Sequence, residues 1–193
     1  MDPRTTLDAA ALKALAHPLR ITLLERLRVD GPATASNLAR ALGESSGATS
    51  YHLRALARAG LVVEDPRRGK GRERWWRPAA GRVDIRHDAA LGDVEASAAR
   101  DWIIDEVTRR RIAWIERWQH ERDGLAPAWR DASVAADAVL RLSPEDLHAL
   151  ADELFAVITR YQARPASDGE LVRLILHALP QAVAQEVTDD AAS

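Results

Sequence analysis

The spacing of apolar residues predicts two helices separated by a proline near the amino terminus. The first helix covers 9–16, with Thr6 or Asp8 as its cap. The histidine–proline pair at 17–18 ends this helix, because the residue before a proline is driven out of the helical region. A second helix over 19–28 repeats apolar residues every three to four positions.

Two more short helices complete a four-helix segment. The third covers 35–42, between a threonine cap and Gly43. The fourth begins near Ser45 or Ser46 and ends at the glycine of position 60. Small polar residues at its start and alternating leucine and arginine further on predict one buried and one exposed face.

A strand–turn–strand follows over 61–77, and Gly69 and Gly71 give the turn its backbone freedom. The two tryptophans that begin the second strand point to opposite sides, so one of them is expected in the core. One more short strand is expected at 82–86. We therefore expect one domain over residues 1–80 and a second region over 93–180.

The second region is predicted to begin with a helix from Asp93, its cap, to about residue 122. One stripe of this helix carries the apolar residues Ile104, Val107, Trp114, Ile115 and Trp118. A helix of this length extends about 45 Å and is expected to pack against a second copy.

The remainder predicts a small α/β segment. A loop at 124–129 precedes a strand at 134–142, a serine-capped helix at 143–162 and a strand at 171–179. The expected fold class is mainly α (α+β): a winged helix-turn-helix domain, a long dimerisation helix and a small α/β carboxy-terminal segment.

Composition excludes several kinds of site. The 193 residues contain no cysteine, which removes disulfides, thiolate metal sites and cysteine nucleophiles. No apolar run reaches the roughly 20 residues of a membrane helix, and no signal-peptide pattern is present. We expect a cytoplasmic protein without membrane association. Residues 1–80 hold 14 Lys/Arg against 8 Asp/Glu, and residues 81–193 hold 13 against 21. A basic amino-terminal half suits a polyanion.

A polar helix followed by a basic, glycine-hinged hairpin is the pattern of a winged helix, in which the helix enters the DNA major groove and the wing lies along phosphates. Arg54 can grip a guanine, and small hydroxyls at the helix start suit a phosphate or either base type. The candidate DNA-binding residues are Ser45, Ser46, Gly47, Ser50, Tyr51, His52, Arg54, Arg67, Arg68, Lys70 and Arg72.

Three stretches make the amino-terminal half resemble the ArsR-type winged-helix repressors: 12–24, 50–56 and 59–62. The resemblance covers roughly residues 5–80. It implies a homodimeric, cytoplasmic repressor that binds double-stranded DNA, with the fourth helix in the major groove and the first and fifth helices pairing the subunits.

The family often senses metals through cysteine pairs on the third or fourth helix, or through Asp/His/Glu clusters on the fifth. This chain has no cysteine, and His120 with Glu116 or Glu121 lacks a second histidine or aspartate at the family's spacing. We therefore expect no metal and no cofactor.

Four tryptophans could line a pocket for a small-molecule effector or fill the core of the dimer, and the second interpretation is favoured. They are Trp102, Trp114, Trp118 and Trp129.

The leading hypothesis is a sequence-specific DNA-binding regulator, a homodimeric repressor released by a non-thiolate, small-molecule effector. The alternative is a dimeric protein-interaction module whose winged helix does not read DNA. An enzyme is not expected, because no G-x-S-x-G, P-loop, H-E-x-x-H or closely spaced pair of acids is present.

Overall fold

The computed structural model describes residues 4–66, 68, 73–79, 82–85, 87–164 and 169–180. The chain divides into two compact units, Met1–Arg117 and Trp118–Ser193. The first unit thus contains the predicted winged domain together with most of the long helix that follows it.

Among its described residues, the first unit contains five strands and four complete helices, and a fifth helix begins in it. The strands are β1 (Arg4–Thr6), β2 (Ala33–Thr34), β3 (Val62–Glu64), β4 (Trp75–Pro78) and β5 (Arg82–Asp84). The helices are α1 (Ala9–Leu15), α2 (Pro18–Val29), α3 (Ala35–Leu42), α4 (Ser46–Arg58) and α5 (Val94–Glu121). A single 3₁₀ turn at His87–Ala90 precedes α5.

Side-chain caps start α1 and α2. Asp8, one of the two predicted caps, accepts a hydrogen bond from the Ala11 N–H at 2.8 Å. Thr6 instead ends β1. The Nδ1 atom of His17 accepts the Leu19 N–H at 3.1 Å, so the histidine before the proline is the cap of α2.

The predicted bounds of α3 and the predicted start of α4 are confirmed, whereas α4 ends at Arg58, two residues before the predicted Gly60. Thr34 accepts the Asn37 N–H at 3.2 Å. Gly43 ends α3 with a φ of 68°, a left-handed conformation that favours glycine. Ser45 caps α4 by accepting the Ala48 N–H at 3.1 Å. The turn after α4 places Gly60 at a φ of 69°.

A three-stranded antiparallel sheet in the order β2-β4-β3 carries the predicted hairpin. Ala33 pairs with Trp76, and Val63 pairs with Arg77. Trp76 is buried while Trp75 is half-buried, as the alternation of a strand requires. The sequence did not predict β2, because two residues are too short for periodicity.

The predicted third strand is β5, which pairs in parallel with β1. The partner strand β1 was not predicted, because its three residues carry no alternating apolar pattern. The pairing nevertheless places the start of the chain beside the segment that leads into α5.

The core of the first unit lies between α1, α2, α4, the sheet and the start of α5. Its fully buried side chains include Leu7, Leu12, Leu23, Leu53 and Ile103. These residues come from four helices and the segment before α1, so burial of each one depends on the docking of the others.

The predicted cap of α5 is confirmed, because Asp93 accepts the Ala96 N–H at 2.9 Å. The face of α5 that is buried in the first unit differs from the predicted stripe. Its members are Ala96, Ala99, Ile103 and Glu106. Ile104 and Ile115 of the predicted stripe are exposed, and their packing against a second copy stays a prediction.

A buried carboxylate joins α5 to α2. The Glu106 residue is only 8% exposed, and its Oε1 atom accepts from Arg110 Nε at 2.7 Å. Arg110 also donates to the Thr22 hydroxyl at 3.0 Å, and its Nη1 atom lies 3.6 Å from the Oε2 atom of Glu25 on α2. The Arg110 hydrogen bond is the main reason that the pKa of Glu106 lies below its ordinary value, despite burial. Arg109 contributes a second ion pair to the same carboxylate.

In the part of the second unit that the structure describes, the end of α5 and a 3₁₀ turn at Arg122–Gly124 precede two helices, α6 (Pro127–Ala132) and α7 (Pro144–Gln162). The predicted loop at 124–129 is therefore wrong at its carboxyl end, because Pro127 occupies the first turn of α6, where its missing N–H costs nothing.

The two predicted strands of this unit are also corrected. Residues 134–142 and 171–179 form neither helix nor strand. Their alternation of side chains suits a strand, but a strand also needs a hydrogen-bonded neighbour.

The predicted cap of α7 is confirmed. The Ser143 hydroxyl accepts the Asp146 N–H at 3.0 Å, and the Asp146 carboxylate accepts the Ser143 N–H at 3.3 Å. These reciprocal bonds form a capping box. The Ser143 hydroxyl also donates to the Asp146 carboxylate at 2.7 Å, and this bond is the main reason that the pKa of Asp146 lies below its ordinary value. Within the described parts of the chain, no helix is long and apolar enough to cross a membrane.

We predict that Glu106→Gln lowers the free energy of unfolding at pH 7 by about 2 kcal/mol, because a neutral amide replaces a charge-assisted acceptor. A carboxyl group whose pKa is lowered by folding stabilises the protein above its unfolded pKa of about 4.3 and loses that contribution as the pH falls. The difference between wild type and variant should therefore shrink from pH 6 towards pH 4. Urea unfolding at each pH measures it, and a difference that is constant with pH would contradict the assignment.

Candidate nucleic-acid interface

Helix α4 has one face in the core and one face in solvent. Leu53 and Leu56 are fully buried, and they fix the helix against the rest of the first unit. The exposed side carries residues at the i, i+4, i+7 and i+11 spacing of one helical stripe. Its members are Gly47, Tyr51, Arg54 and Arg58, with the half-buried Ser50 beside them.

The amino terminus of α4 is exposed and built from small residues. Ser45, Ser46 and Gly47 are all exposed, and a Cβ atom at Gly47 would meet no atom within 4 Å. Because the first turn of a helix has free N–H groups and a positive dipole end, this terminus is chemically suited to a phosphate.

Ser50 and Arg54 interact one turn apart on the exposed side. The Arg54 Nη2 atom donates to the Ser50 hydroxyl at 2.9 Å. This bond holds the guanidinium along the helix and leaves its other N–H groups available for a bidentate contact. The two predicted residues are therefore brought together.

A cleft of about 400 Å³ lies between α4, the start of α3 and the base of the wing. Its lining residues are Thr34, Ala35, Ser36, Ser50, Arg54, Glu73, Arg74 and Trp76. In this cleft the Ser50–Arg54 pair lies beside β4, the strand that follows the wing.

The wing base is held by contacts between its two strands. Arg74 forms an ion pair with Glu64 at 3.0 Å, and the Arg68 guanidinium lies 5.8 Å from the ring centroid of Trp75. Both arginines are exposed. The other predicted wing residues, Arg67, Lys70 and Arg72, lie outside the described residues.

The ring of His52 is engaged inside the protein. It lies 4.4 Å from the His17 ring centroid, and Arg20 Nε donates to its Nδ1 atom at 3.2 Å. Tyr51 meets the same ring edge-on at 5.3 Å. The predicted role of His52 in DNA contact stays a prediction, but these contacts give it a structural role between α4 and the α1–α2 junction.

Partial burial is the main reason that the pKa of His52 lies below its ordinary value. The charges of His17 and Arg20 lower it further, and Glu44 opposes them. Because Arg20 donates to Nδ1, the neutral ring carries its proton on Nε2. Protonation of Nδ1 would break that hydrogen bond and add a positive charge beside Arg20.

Two basic residues of this surface were not among the predicted ones. Arg58 lies on the exposed stripe of α4, and Arg74 lines the cleft. The spacing of Arg58 from Arg54 identifies it as a member of the same face. No sequence pattern indicated Arg74, because strand pairing decides its position.

The four tryptophans occupy different environments. Trp102 packs half-buried against the core of the first unit, Trp114 and Trp118 are half-buried, and Trp129 is 37% exposed. Twelve helical residues separate Trp102 from Trp114, a rise of about 18 Å. Among the described residues, no group of three or more His, Asp or Glu side chains could hold a metal ion.

We predict that Thr49→Val raises the free energy of unfolding by about 1 kcal/mol, because the fully buried Thr49 hydroxyl has no hydrogen-bond partner in the described structure. Thr49→Ala is the control, since it removes the same hydroxyl but also a packed methyl group, and should not stabilise. Urea unfolding compares the variants, and a destabilised valine variant would show that the hydroxyl is bonded.

We predict that stability rises with pH below about 6.5, the ordinary histidine pKa. A histidine whose pKa is lowered by folding binds fewer protons in the native state, so acid favours unfolding. The variant His52→Gln keeps an acceptor for Arg20 but cannot titrate, and should flatten this slope. Unfolding midpoints at pH 5.5 and 7.5 measure the effect, and equal slopes in the two proteins would refute it.

Parts of the chain are similar to known proteins. Residues 15–65 match the family model described as a helix-turn-helix domain. Over 57 residues, 30% of this chain, the sequence is 46% identical to the HTH-type transcriptional regulator NmtR of Mycobacterium tuberculosis, and the match spans about half of that relative (47%). A second match is the crystal structure of a "possible transcriptional regulator for arsenical resistance", with 30% sequence identity and a TM-score of 0.32. This match covers 53% of the present chain and 93% of the chain in that crystal structure.

The matched segment begins at the end of α1 and finishes just after β3, so it contains α2, α3 and the whole of α4. The family resemblance read from the sequence is confirmed, and the small antiparallel sheet agrees with a winged fold. The amino-terminal domain of this chain therefore contains a helix-turn-helix and resembles the ArsR-type winged helix-turn-helix regulators.

Proposed function

We propose that the protein is a sequence-specific DNA-binding transcriptional regulator, a homodimeric repressor released by a small-molecule effector. The observation that carries the proposal is the exposed face of α4, on which Ser50 holds Arg54 beside the wing base. The helix-turn-helix match and the similarity to a known transcriptional regulator support it.

In this proposal α4 lies in the major groove. Its exposed amino terminus meets a phosphate, and Arg54 reads a guanine through two hydrogen bonds. Arg58 continues the basic stripe toward the end of the helix. Arg68 and the basic residues of the wing contact phosphates, which position the domain without reading sequence.

A homodimer would present two α4 helices to one face of DNA. Helix α5 has 28 residues and is about 42 Å long, and its exposed residues Ile104, Ile112 and Ile115 are available for a partner. Two half-sites one helical turn apart, about 34 Å, then define the operator. In this proposal the effector binds near the carboxy-terminal half of the chain.

We predict that Arg54→Ala weakens binding to the operator by about 1–3 kcal/mol and relaxes the preference for one base. Lys70→Ala should weaken binding to all duplexes and reduce the slope of log K against log salt by about 1. Arg26→Ala is the matched control, because this exposed arginine pairs within α2 with Asp30 and carries the same charge. Mobility shifts on genomic fragments and random duplexes, over a range of salt, measure these effects.

If wild-type protein binds operator and random duplexes equally, sequence-specific regulation is refuted. Salt-insensitive association without any shift would instead favour a protein-interaction module. If Arg26→Ala weakens binding as much as Arg54→Ala, the exposed face of α4 is not the reading surface.

A further inference from the structure

The second unit has no buried side chain among its described residues, 118–164 and 169–180. Its helix α7 nevertheless has a complete capping box and 19 residues. Five apolar side chains of α7 are half-buried along one stripe, Leu147, Leu150, Ala151, Phe155 and Ile158. A helix with one apolar stripe is stabilised mainly by burial of that stripe, so the described unit lacks part of its core.

The segment 134–142 is a second exposed apolar element. Alternate positions of this segment are apolar on one side, at Val134, Ala136, Ala138, Leu140 and Leu142. Val134 is 84% exposed and Leu140 is 59% exposed. None of its backbone groups forms a hydrogen bond with the backbone of another described residue. The segment therefore has the side-chain pattern of a strand but lacks a partner strand.

The other side of the segment carries two opposite charges placed symmetrically about one residue. Asp137 lies two positions before Val139, and Arg141 lies two positions after it. If two copies pair antiparallel with Val139 opposite Val139, each Asp137 faces the Arg141 of the other copy. Opposite charges at directly facing positions stabilise a strand pair, and like charges destabilise it.

We propose that residues 136–142 of two copies pair antiparallel about Val139 and form the central ribbon of an intermolecular carboxy-terminal sheet. In this register the four apolar positions Ala136, Ala138, Leu140 and Leu142 of both strands share one face, which the apolar stripes of the two α7 helices cover. The other face carries two Asp137–Arg141 pairs and faces solvent. A second copy thus supplies both the missing backbone partners and the missing core.

The charge pattern favours this antiparallel pairing of two copies over other pairings of the exposed segments. A parallel pairing of the same segments in register would place Asp137 opposite Asp137. The segment 171–179 paired with itself about Ile175 would place Arg173 opposite His177, with no carboxylate between them. This interface is proposed in addition to a dimer held by α5.

Introduced cysteines test the register directly, because the chain has no cysteine of its own. Val139→Cys in the full chain places two thiols at facing positions, where Cβ atoms of paired strands lie about 4.5–5.5 Å apart, close to disulfide range. Ala135→Cys is the matched control: its two copies would be separated by eight residues, about 27 Å. Mild oxidation without DNA, followed by non-reducing electrophoresis, should give a covalent dimer for Val139→Cys and at least tenfold less for Ala135→Cys.

Charge exchange gives a second measurement that does not depend on the fit of the disulfide. In the Val139→Cys background, Asp137→Arg and Arg141→Asp should each reduce the cross-linked fraction, because like charges then face each other. The double exchange Asp137→Arg with Arg141→Asp should restore it. Circular dichroism of each variant verifies that α7 remains folded.

Equal cross-linking of the Val139 and Ala135 variants, or none in either, would overturn the proposed register. Failure of the double exchange to restore cross-linking would do the same. Because DNA is absent from these experiments, their failure leaves the reading role of α4 unaffected. Loss of DNA binding would likewise leave the ribbon unaffected.

Discussion

The proposed interface with DNA depends on the way α4 is held by the core. Leu53 and Leu56 are buried among residues of α1, α2 and the sheet, so the opposite side of the helix must face solvent. Substituting either leucine would leave a cavity and also loosen the direction of Arg54, because a helix of 13 residues has little stability of its own. Stability of the domain and orientation of the exposed stripe are thus consequences of the same packing.

The Glu106–Arg110 network adds a polar connection to this packing. It joins α5 to α2 through the Thr22 hydroxyl and the Glu25 carboxylate. Apolar contacts permit small sliding movements, whereas hydrogen bonds to a buried carboxylate fix the register of two helices. In the proposed function, this network is the physical route by which a change in α5 reaches the domain that carries α4.

The second unit shows a different balance between local and tertiary order. The capping box of α7 requires only neighbouring residues. It forms although no side chain is buried in the described part of the unit. The segment 134–142 has a pattern that becomes stable only with a hydrogen-bonded neighbour. A symmetric partner satisfies this requirement, because the charges about Val139 are complementary to themselves when the strand direction is reversed.

The sequence by itself determined the local elements: α3, the start of α4, the hairpin strands and α7 were predicted because caps, glycines and the spacing of apolar residues act over a few positions. The candidate face of α4 was also predictable, since its residues share one helical stripe. Only the tertiary structure decided that His52 contacts His17 and Arg20, that Arg74 lines the cleft, and which face of α5 is buried. Those outcomes depend on residues distant in the chain. The strands expected at 134–142 and 171–179 were wrong for the same reason: alternation of side chains is a local property, but the hydrogen bonds of a strand require a neighbour from elsewhere.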